Sequence, residues 1–256
     1  MSRRRIYLLV LGGVLFGPVA AALAATATGL NITVEGDKKI LTTNDIPSHA
    51  SGPFPSQFNP NTIQEQNLRF VIPAHPRYSE QTTRLPQLGP IGVAVNGVAF
   101  FNPYNRDGDD AVTGSRRERF DECQGHPTEF GAYHYHQYSK CVIRDEPGKH
   151  SKIFGWAFDG FPVYGPQGVD GREPADLDKC NGHVHPGDGQ DKYHYHVTKA
   201  FPYIIGCYHG EVDAASFQRP MRRPFLGGMP PRDRMGDQTG DRMGPPPGMP
   251  PRPRDR

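Results

Sequence analysis

The sequence predicts a mainly β, loop-rich domain of two pseudo-symmetric modules, cross-linked by disulfides and followed by a disordered C-terminal tail. The first observation is a string, Tyr-His-Tyr-His, that occurs at residues 133–136 and again at residues 193–196. Alternation favours a strand, because residues two apart share one face. The second observation is the repeated order of motifs around each string. The third is a content of 30 glycines and 27 prolines, which favours turns over helices.

The motifs around the two strings recur in the same order. A Cys-x-Gly-His segment precedes each string, a cysteine follows it, and a Gly-x-Ala-x-(Asn/Asp)-Gly segment lies upstream. These are Cys123–His126 and Cys180–His183, then Cys141 and Cys207, with Gly92–Gly97 and Gly155–Gly160 upstream. The offsets between copies are 63, 57 and 60 residues. We therefore predict an internal duplication, with copies at about residues 91–141 and 154–207.

The first 24 residues have the pattern of an export signal. Three arginines at positions 3 to 5 precede the apolar stretch Ile6 to Val19, and Ala22-Leu-Ala24 has the form of a cleavage site. The apolar stretch is too short to span a bilayer. We therefore expect an exported protein, periplasmic or extracellular.

Residues 25–215 are the predicted β domain. Before the repeats, Leu30 to Val34 and Asn67 to Ile72 are β-like runs separated by Pro, Asn and Ser clusters, and we expect them to pack onto the repeats. Gly92 to Phe101 predicts a strand in the first copy, and Phe154 to Tyr164 predicts its partner in the second.

The predicted domain is mildly acidic. It contains 17 basic and 23 acidic residues, a formal charge of −6, whereas the whole chain has +2. This balance excludes the extended basic surface by which proteins bind nucleic acid, and it is compatible with attraction of cations.

The four cysteines occupy equivalent places in the two copies. In an exported protein they predict disulfides, and pairing Cys123 with Cys141 and Cys180 with Cys207 respects the duplication. Four cysteines permit three connectivities, and the others stay open. The alternative is a Cys-x-x-His zinc knuckle, which requires free thiolates.

The histidines predict metal binding. A His-x-His pair on a strand and a third histidine from a nearby loop supply three nitrogens and leave one coordination position open. The predicted triads are His126, His134 and His136 in the first copy, and His183, His194 and His196 in the second. Imidazole suits zinc, copper, iron and nickel. Either each copy binds its own ion or the two copies share one.

In this interpretation the string's tyrosines pack against a core and its imidazoles face outward. The glycine before each loop histidine, Gly125 or Gly182, is expected to let the backbone turn towards the strand.

Two aspartates, Asp121 and Asp178, stand two residues before a cysteine in each copy. They are candidates for orienting a ligand imidazole from a second shell, and equally for a role in the turn. Four histidines, at positions 49, 75, 150 and 209, follow no pattern, and His185 is expected to be a surface group. Asn105 to Asp110 has the composition of a calcium loop without its glycine position or bidentate glutamate, so we expect an acidic turn.

The segment from residue 216 to residue 256 is rich in Pro, Gly, Arg and Met, and predicts disorder. Every methionine except Met1 lies in it: Met221, Met229, Met235, Met243 and Met249. Thioethers favour Cu(I), so the tail is a candidate copper ligand. The alternative is contact of its arginines with an anionic cell envelope.

The motifs quoted above, together with Asp159-Gly-Phe-Pro162 and Pro202 to Cys207, resemble the YHYH-domain family of secreted and periplasmic proteins over about Pro90 to Gly210. The resemblance implies an exported protein and no particular reaction. Three functions are compatible with the residues: a metal-binding protein using copper or zinc, a metal-dependent hydrolase or oxidoreductase, and a structural or adhesive envelope module. No Ser-His-Asp pattern, Cys-His pattern or phosphate loop indicates a reaction, so catalysis is left open.

Overall fold

Short strands and turns make up the described part of the chain, which is residues 29–184, 193–213 and 216 of a computed structural model. The predicted export signal, His185 and the segment from residue 217 onward lie outside these residues, so the predictions made for them stay predictions. Within the described residues, no helix has the length and apolar character that a membrane span requires.

A small antiparallel sheet precedes the repeats. Its strands are β1 (Leu30–Glu35), β2 (Lys38–Thr43) and β3 (Leu68–Pro73), in the order β1-β2-β3. The predicted runs correspond to β1 and β3. Strand β2 was not predicted. It follows β1 through a two-residue turn, Gly36 and Asp37, between the paired residues Glu35 and Lys38. Phe70 of β3 packs on Phe158 with ring centroids 4.8 Å apart, so this sheet contacts the repeat region as expected.

The repeat region forms one eight-stranded sheet. Its strands are β4 (Pro90–Ala94), β5 (Ala99–Phe101), β6 (Gly125–Pro127), β7 (Tyr133–Tyr135), β8 (Ile153–Ala157), β9 (Pro162–Tyr164), β10 (Gly182–Val184) and β11 (Tyr193–His196). Their order is β10-β11-β9-β8-β4-β5-β7-β6. The described chain is thus mainly β, as predicted.

The two copies occupy opposite halves of this sheet. Strands β4 and β8 pair antiparallel at the centre, and each forms a hairpin with the next strand in sequence. The hairpin's second strand then pairs in parallel with the strand that carries Tyr-His-Tyr, and the Gly-His strand closes the edge. This is the arrangement expected of two modules related by a pseudo-twofold axis, while their origin by duplication stays a prediction.

The tyrosines of both strings lie in the core. Tyr133, Tyr135 and Tyr195 are fully buried and Tyr193 is 3 % exposed. The expectation that the imidazoles face outward is wrong, because the second face of each string is covered as well; His134 is only 4 % exposed. The histidines therefore lie in a layer shielded from water.

The disulfides join the predicted partners. Cys123 is bonded to Cys141, with Cα atoms 5.6 Å apart, and Cys180 to Cys207, with Cα atoms 4.8 Å apart. No cysteine keeps a free thiol, so the alternative of a zinc knuckle is wrong. Each bridge ties the turn before a Gly-His strand to a segment that follows the Tyr-His-Tyr strand.

Candidate metal centres

The first histidine cluster, which consists of His126, His134 and His136, is assembled by strand register. Strands β6 and β7 pair antiparallel with His126 directly opposite His134, and His136 lies two residues further along on the same face. The ring centroid of His134 is 4.4 Å from that of His126 and 4.9 Å from that of His136. One ring nitrogen from each residue lies within 4.8 Å of the other two. The structure therefore brings the first predicted triad together.

Backbone carbonyls fix the tautomers of two of these imidazoles. The Nδ1 atom of His136 lies 2.6 Å from the carbonyl oxygen of Asn102, and that of His134 lies 3.2 Å from the carbonyl oxygen of Ala132. A carbonyl only accepts, so each Nδ1 carries the proton and donates it. Each Nε2 atom is then unprotonated and carries a lone pair.

These two lone pairs face each other. The Nε2 atoms of His134 and His136 are 3.1 Å apart. Neither has a proton to donate, so the contact is unfavourable unless a cation lies between them. A proton is a poor candidate, because burial lowers the pKa of His136 to about 4 and that of His134 well below its ordinary value. Two Zn–N bonds of 2.0–2.1 Å at a tetrahedral angle place their nitrogens about 3.3 Å apart, so a metal ion fits.

His126 completes the cluster without a carbonyl partner. Its Nδ1 atom lies 3.4 Å from the side-chain nitrogen of Asn59, longer than a good hydrogen bond, so this contact does not fix the tautomer. Its Nε2 atom is buried and has no hydrogen-bond partner among the described residues. Burial lowers the pKa of His126 to about 3, so the ring is neutral at pH 7 and able to act as a ligand.

Two phenylalanines cover the first cluster. Phe101 stacks on His134 with ring centroids 4.0 Å apart, and Phe120 meets the ring of His126 edge-on at 5.0 Å. An apolar cover excludes water and strengthens the electrostatic interaction between a cation and its ligands. The first cluster is therefore a dry site.

The second histidine cluster is built by the equivalent strands. His183 of β10 lies opposite His194 of β11, and their Nε2 atoms are 3.1 Å apart. The Nδ1 atom of His183 donates to Asp176 at 2.9 Å, and that of His196 to the carbonyl oxygen of Gly165 at 2.7 Å. The Nε2 atom of His196 is buried without a hydrogen-bond partner in the described residues. The ring centroid of His196 lies 5.1 Å from that of His183 and 5.2 Å from that of His194, so the three rings of the second predicted triad are neighbours.

A fourth imidazole, that of His150, joins the second cluster. Its ligand nitrogen lies within 4.8 Å of those of His194 and His196, and its Nδ1 atom donates to the carbonyl oxygen of Ser151 at 2.8 Å. His150 precedes β8 and has no place in the repeat pattern, so it was not predicted as a ligand. We define the second cluster as these four residues: His150, His183, His194 and His196.

The two clusters stand apart. Strands β7 and β11 are separated by five strand spacings, roughly 24 Å along the sheet. No ring contact joins the clusters within the described part of the chain. The two clusters are therefore separate groups of side chains, which favours one ion for each copy over one ion shared by both.

Asp121 and Asp178 hold turns rather than ligand imidazoles. Asp121 accepts hydrogen bonds from the backbone N–H groups of Cys123 and Gly125, at 2.9 and 3.2 Å, and from the hydroxyl of Tyr133 at 2.9 Å. Asp178 accepts the equivalent three bonds in the second copy. The hydrogen bonds of these carboxylates among the described residues go to turns and tyrosines, and not to the triads as the second-shell prediction requires. Each one positions a Gly-His strand by fixing the turn before it.

The glycines before the loop histidines have a different role from the one expected. The left-handed residues of these turns are Gln124 and Asn181, with φ of 65° and 67°, while Gly125 and Gly182 are in strands. A Cβ atom on Gly125 would lie 2.3 Å from the ring of Tyr133. Glycine is needed at this position because the ring of Tyr133 packs directly against the backbone of the strand, where a side chain would collide with it.

Other polar groups lie on the opposite face or in turns. His49 contacts the hydroxyl of Tyr135 at 2.6 Å through Nε2, and the Nε2 atom of His209 lies 3.1 Å from a carboxylate oxygen of Asp178. Both residues belong to groups that include disulfide sulfurs, which are not metal ligands. In the segment from Asn105 to Asp110, the Asn105 side chain accepts two backbone N–H bonds, as an acidic turn requires.

Family comparison places the clusters within a known domain. The model of the YHYH protein family matches residues 69–174 and 171–210, more than half of the chain. The chain is a member of the YHYH protein family. The matched residues include all seven histidines of the two clusters. Neither the curated proteins nor the solved structures contain a match to this YHYH protein.

Proposed function

We propose that this YHYH protein binds two transition-metal ions per chain outside the cytoplasm, one at each histidine cluster. The observation that carries the proposal is the pair of Nε2 lone pairs in the first cluster, 3.1 Å apart and both fixed by carbonyls on the far side of the ring. Metal-bound histidines characteristically have such a partner on the other nitrogen. The cost of burying two facing lone pairs is explained if a cation binds between them.

The donor set favours zinc or copper. Neutral imidazole nitrogens suit the borderline ions. The first cluster offers three nitrogens and leaves one coordination position open, the second offers up to four, and both sets suit Zn²⁺ or Cu²⁺. Copper(I) prefers the thioethers of the five methionines that lie after residue 217, so those residues are proposed to supply copper to the clusters or accept it from them. Tail arginines that contact the cell envelope are the other proposed use of this segment.

Export is part of the proposal. Support comes from the signal pattern of residues 1–24 and from two disulfides, which persist in oxidising compartments. In the domain organisation we propose, the mature β domain begins near residue 25 and ends near residue 215.

Metal analysis tests the proposal. Protein purified from the periplasm without an affinity tag is expected to contain close to two equivalents of zinc or copper. A variant with alanine at His134, His136, His194 and His196 is expected to contain close to none. The control is a His49→Ala/His75→Ala variant, which removes histidines outside both clusters and should keep both ions. Equal metal content in the quadruple variant and the wild type would contradict the proposal.

The copper interpretation has its own test. Deletion of residues 217–256 is expected to weaken Cu(I) binding, measured by competition with a chromogenic Cu(I) chelator, and to leave Zn²⁺ binding unchanged. An unchanged Cu(I) affinity would leave zinc as the favoured ion and envelope contact as the proposed use of the tail.

A metal-dependent enzyme is the second candidate, and one observation favours it. A cavity of about 470 Å³ adjoins the second cluster and is lined in part by His150 and His194. Space beside a metal is what a substrate requires, whereas a storage site needs none. A structural module is the outcome if the chain binds no metal.

A further inference from the structure

The cavity beside the second cluster has largely aromatic walls. Four aromatic side chains line it: Trp156, Phe161, Tyr164 and Tyr193. Its volume of about 470 Å³ lies in the range of sites for small organic ligands. Aromatic walls favour a flat, apolar ligand body that can stack on them.

Lys39 carries the charge that faces the cavity. His75 and the cluster residues His150 and His194 also line it, and no carboxylate is among its lining residues. Lys39 is half-buried, and its ammonium lies 5.2 Å from the centre of the Trp156 ring. It forms no ion pair within residues 29–184, 193–213 and 216, whereas the neighbouring Lys38 pairs with Asp213 at 2.7 Å. The cavity thus presents a positive charge that a ligand can neutralise.

The two modules differ in the aromatic ring that packs on the first histidine of the Tyr-His-Tyr-His string. Phe101 of the first copy corresponds to Tyr164 of the second, 63 residues later. Phe101 stacks on His134 at 4.0 Å, while Tyr164 meets His194 edge-on at 5.1 Å. His194 is among the residues that line the cavity. The two modules therefore differ in the packing around this histidine and not only in ligand number.

We infer that this cavity binds a small aromatic anion, with its carboxylate or phenolate group near Lys39 and its ring against Trp156. Charge selection depends on Lys39 and the aromatic walls, so it does not require a metal. Electrostatic attraction of the same anionic group to an ion at the second cluster rests on the proposed function, and it is expected to strengthen binding.

Trp156 gives a direct readout, because it is the only tryptophan of the chain. Benzoate and benzylamine are matched probes, equal in ring and opposite in charge. In metal-free protein at pH 7.5, benzoate is expected to quench Trp156 fluorescence with saturation and with at least 10-fold lower Kd than benzylamine. Equal affinity for the two probes would overturn the inference.

A variant separates the lysine from the rest of the cavity. Lys39→Met keeps the aliphatic stem and removes the charge, and it is expected to raise the Kd for benzoate at least 5-fold. The control Lys38→Met changes the adjacent, exposed lysine and should leave the Kd within 2-fold of wild type. Equal effects of the two substitutions would contradict the role of Lys39.

Metal loading distinguishes this inference from the proposed function. With Zn²⁺ bound, the Kd for benzoate in the wild type is expected to fall further. If the protein binds no Zn²⁺ but the metal-free protein still prefers benzoate, the proposed function fails and the inference stands. If Zn²⁺ binds and the charge of the probe has no effect, the inference fails and the proposed function stands.

Discussion

Replacing His136 with alanine is expected to lower the metal content of the protein from the proposed two ions per chain to one. The substitution removes one of two nitrogens that converge at 3.1 Å, and it leaves the second cluster intact on the opposite half of the sheet. Loss of an outer-shell partner typically lowers metal affinity by 10- to 100-fold, so loss of a ligand should lower it by more than about 100-fold. Isothermal titration of metal-free protein with Zn²⁺ measures both the stoichiometry and the affinity.

His49→Ala is the matched control for this change. His49 belongs to the same module and contacts Tyr135, but it lies on the face of the strand away from the cluster. The variant should still bind two ions. A His136→Ala protein that keeps two ions of wild-type affinity would show that the first cluster is a packing arrangement only.

Acidification destabilises metal-free wild-type protein more than a His136→Gln variant. Burial lowers the pKa of folded His136 to about 4, whereas the unfolded chain has a histidine pKa of about 6.5. Between these two pH values the unfolded chain binds a proton at this histidine and the folded protein does not. The free energy of unfolding that this group contributes above about pH 6.5 is therefore lost as the pH falls towards 4. From pH 7 to pH 5 this single group lowers the free energy of unfolding by about 2 kcal/mol.

The variant lacks that loss because glutamine does not titrate, and its amide can still donate to the carbonyl oxygen of Asn102. Urea unfolding in the presence of EDTA at the two pH values measures the difference. The exposed His75, replaced with glutamine, provides the control and should behave as wild type. Identical losses in wild type and His136→Gln would mean that His136 is not buried as a neutral ring.

The strands and triads could be predicted because their signals are local. Alternation of tyrosine and histidine indicates a strand with both imidazoles on one face, and repetition of the Gly-His segment indicates the third ligand. The disulfide pairs followed from the same repetition. These features depend on residues within one short segment of each copy, which is where sequence patterns are most informative.

His150 could not be predicted, because tertiary packing alone brings it to the site. It lies 44 residues before His194, in the loop that leads into β8, and the repeat pattern gives it no counterpart. The roles of Asp121 and Asp178 were open for another reason. A carboxylate two residues before a cysteine suits a turn or a second shell equally, and only the hydrogen bonds to Cys123 and Gly125 decide between them.

Burial of the histidines also escaped the sequence analysis. Strand alternation gives two faces but does not say which face is covered. The cover of the first cluster comes from Phe101 and Phe120, which lie outside the Tyr-His-Tyr-His string. The consequence is chemical, since a dry site holds neutral imidazoles at pH values where exposed histidines are protonated.

Anomalous diffraction at the zinc absorption edge tests the central claim most directly. Crystals of Zn²⁺-loaded protein should show one strong peak about 2 Å from the Nε2 atoms of both His134 and His136. They should show a second peak at the second cluster, among His150, His183, His194 and His196. Peaks elsewhere on the surface, with none between His134 and His136, would contradict the account.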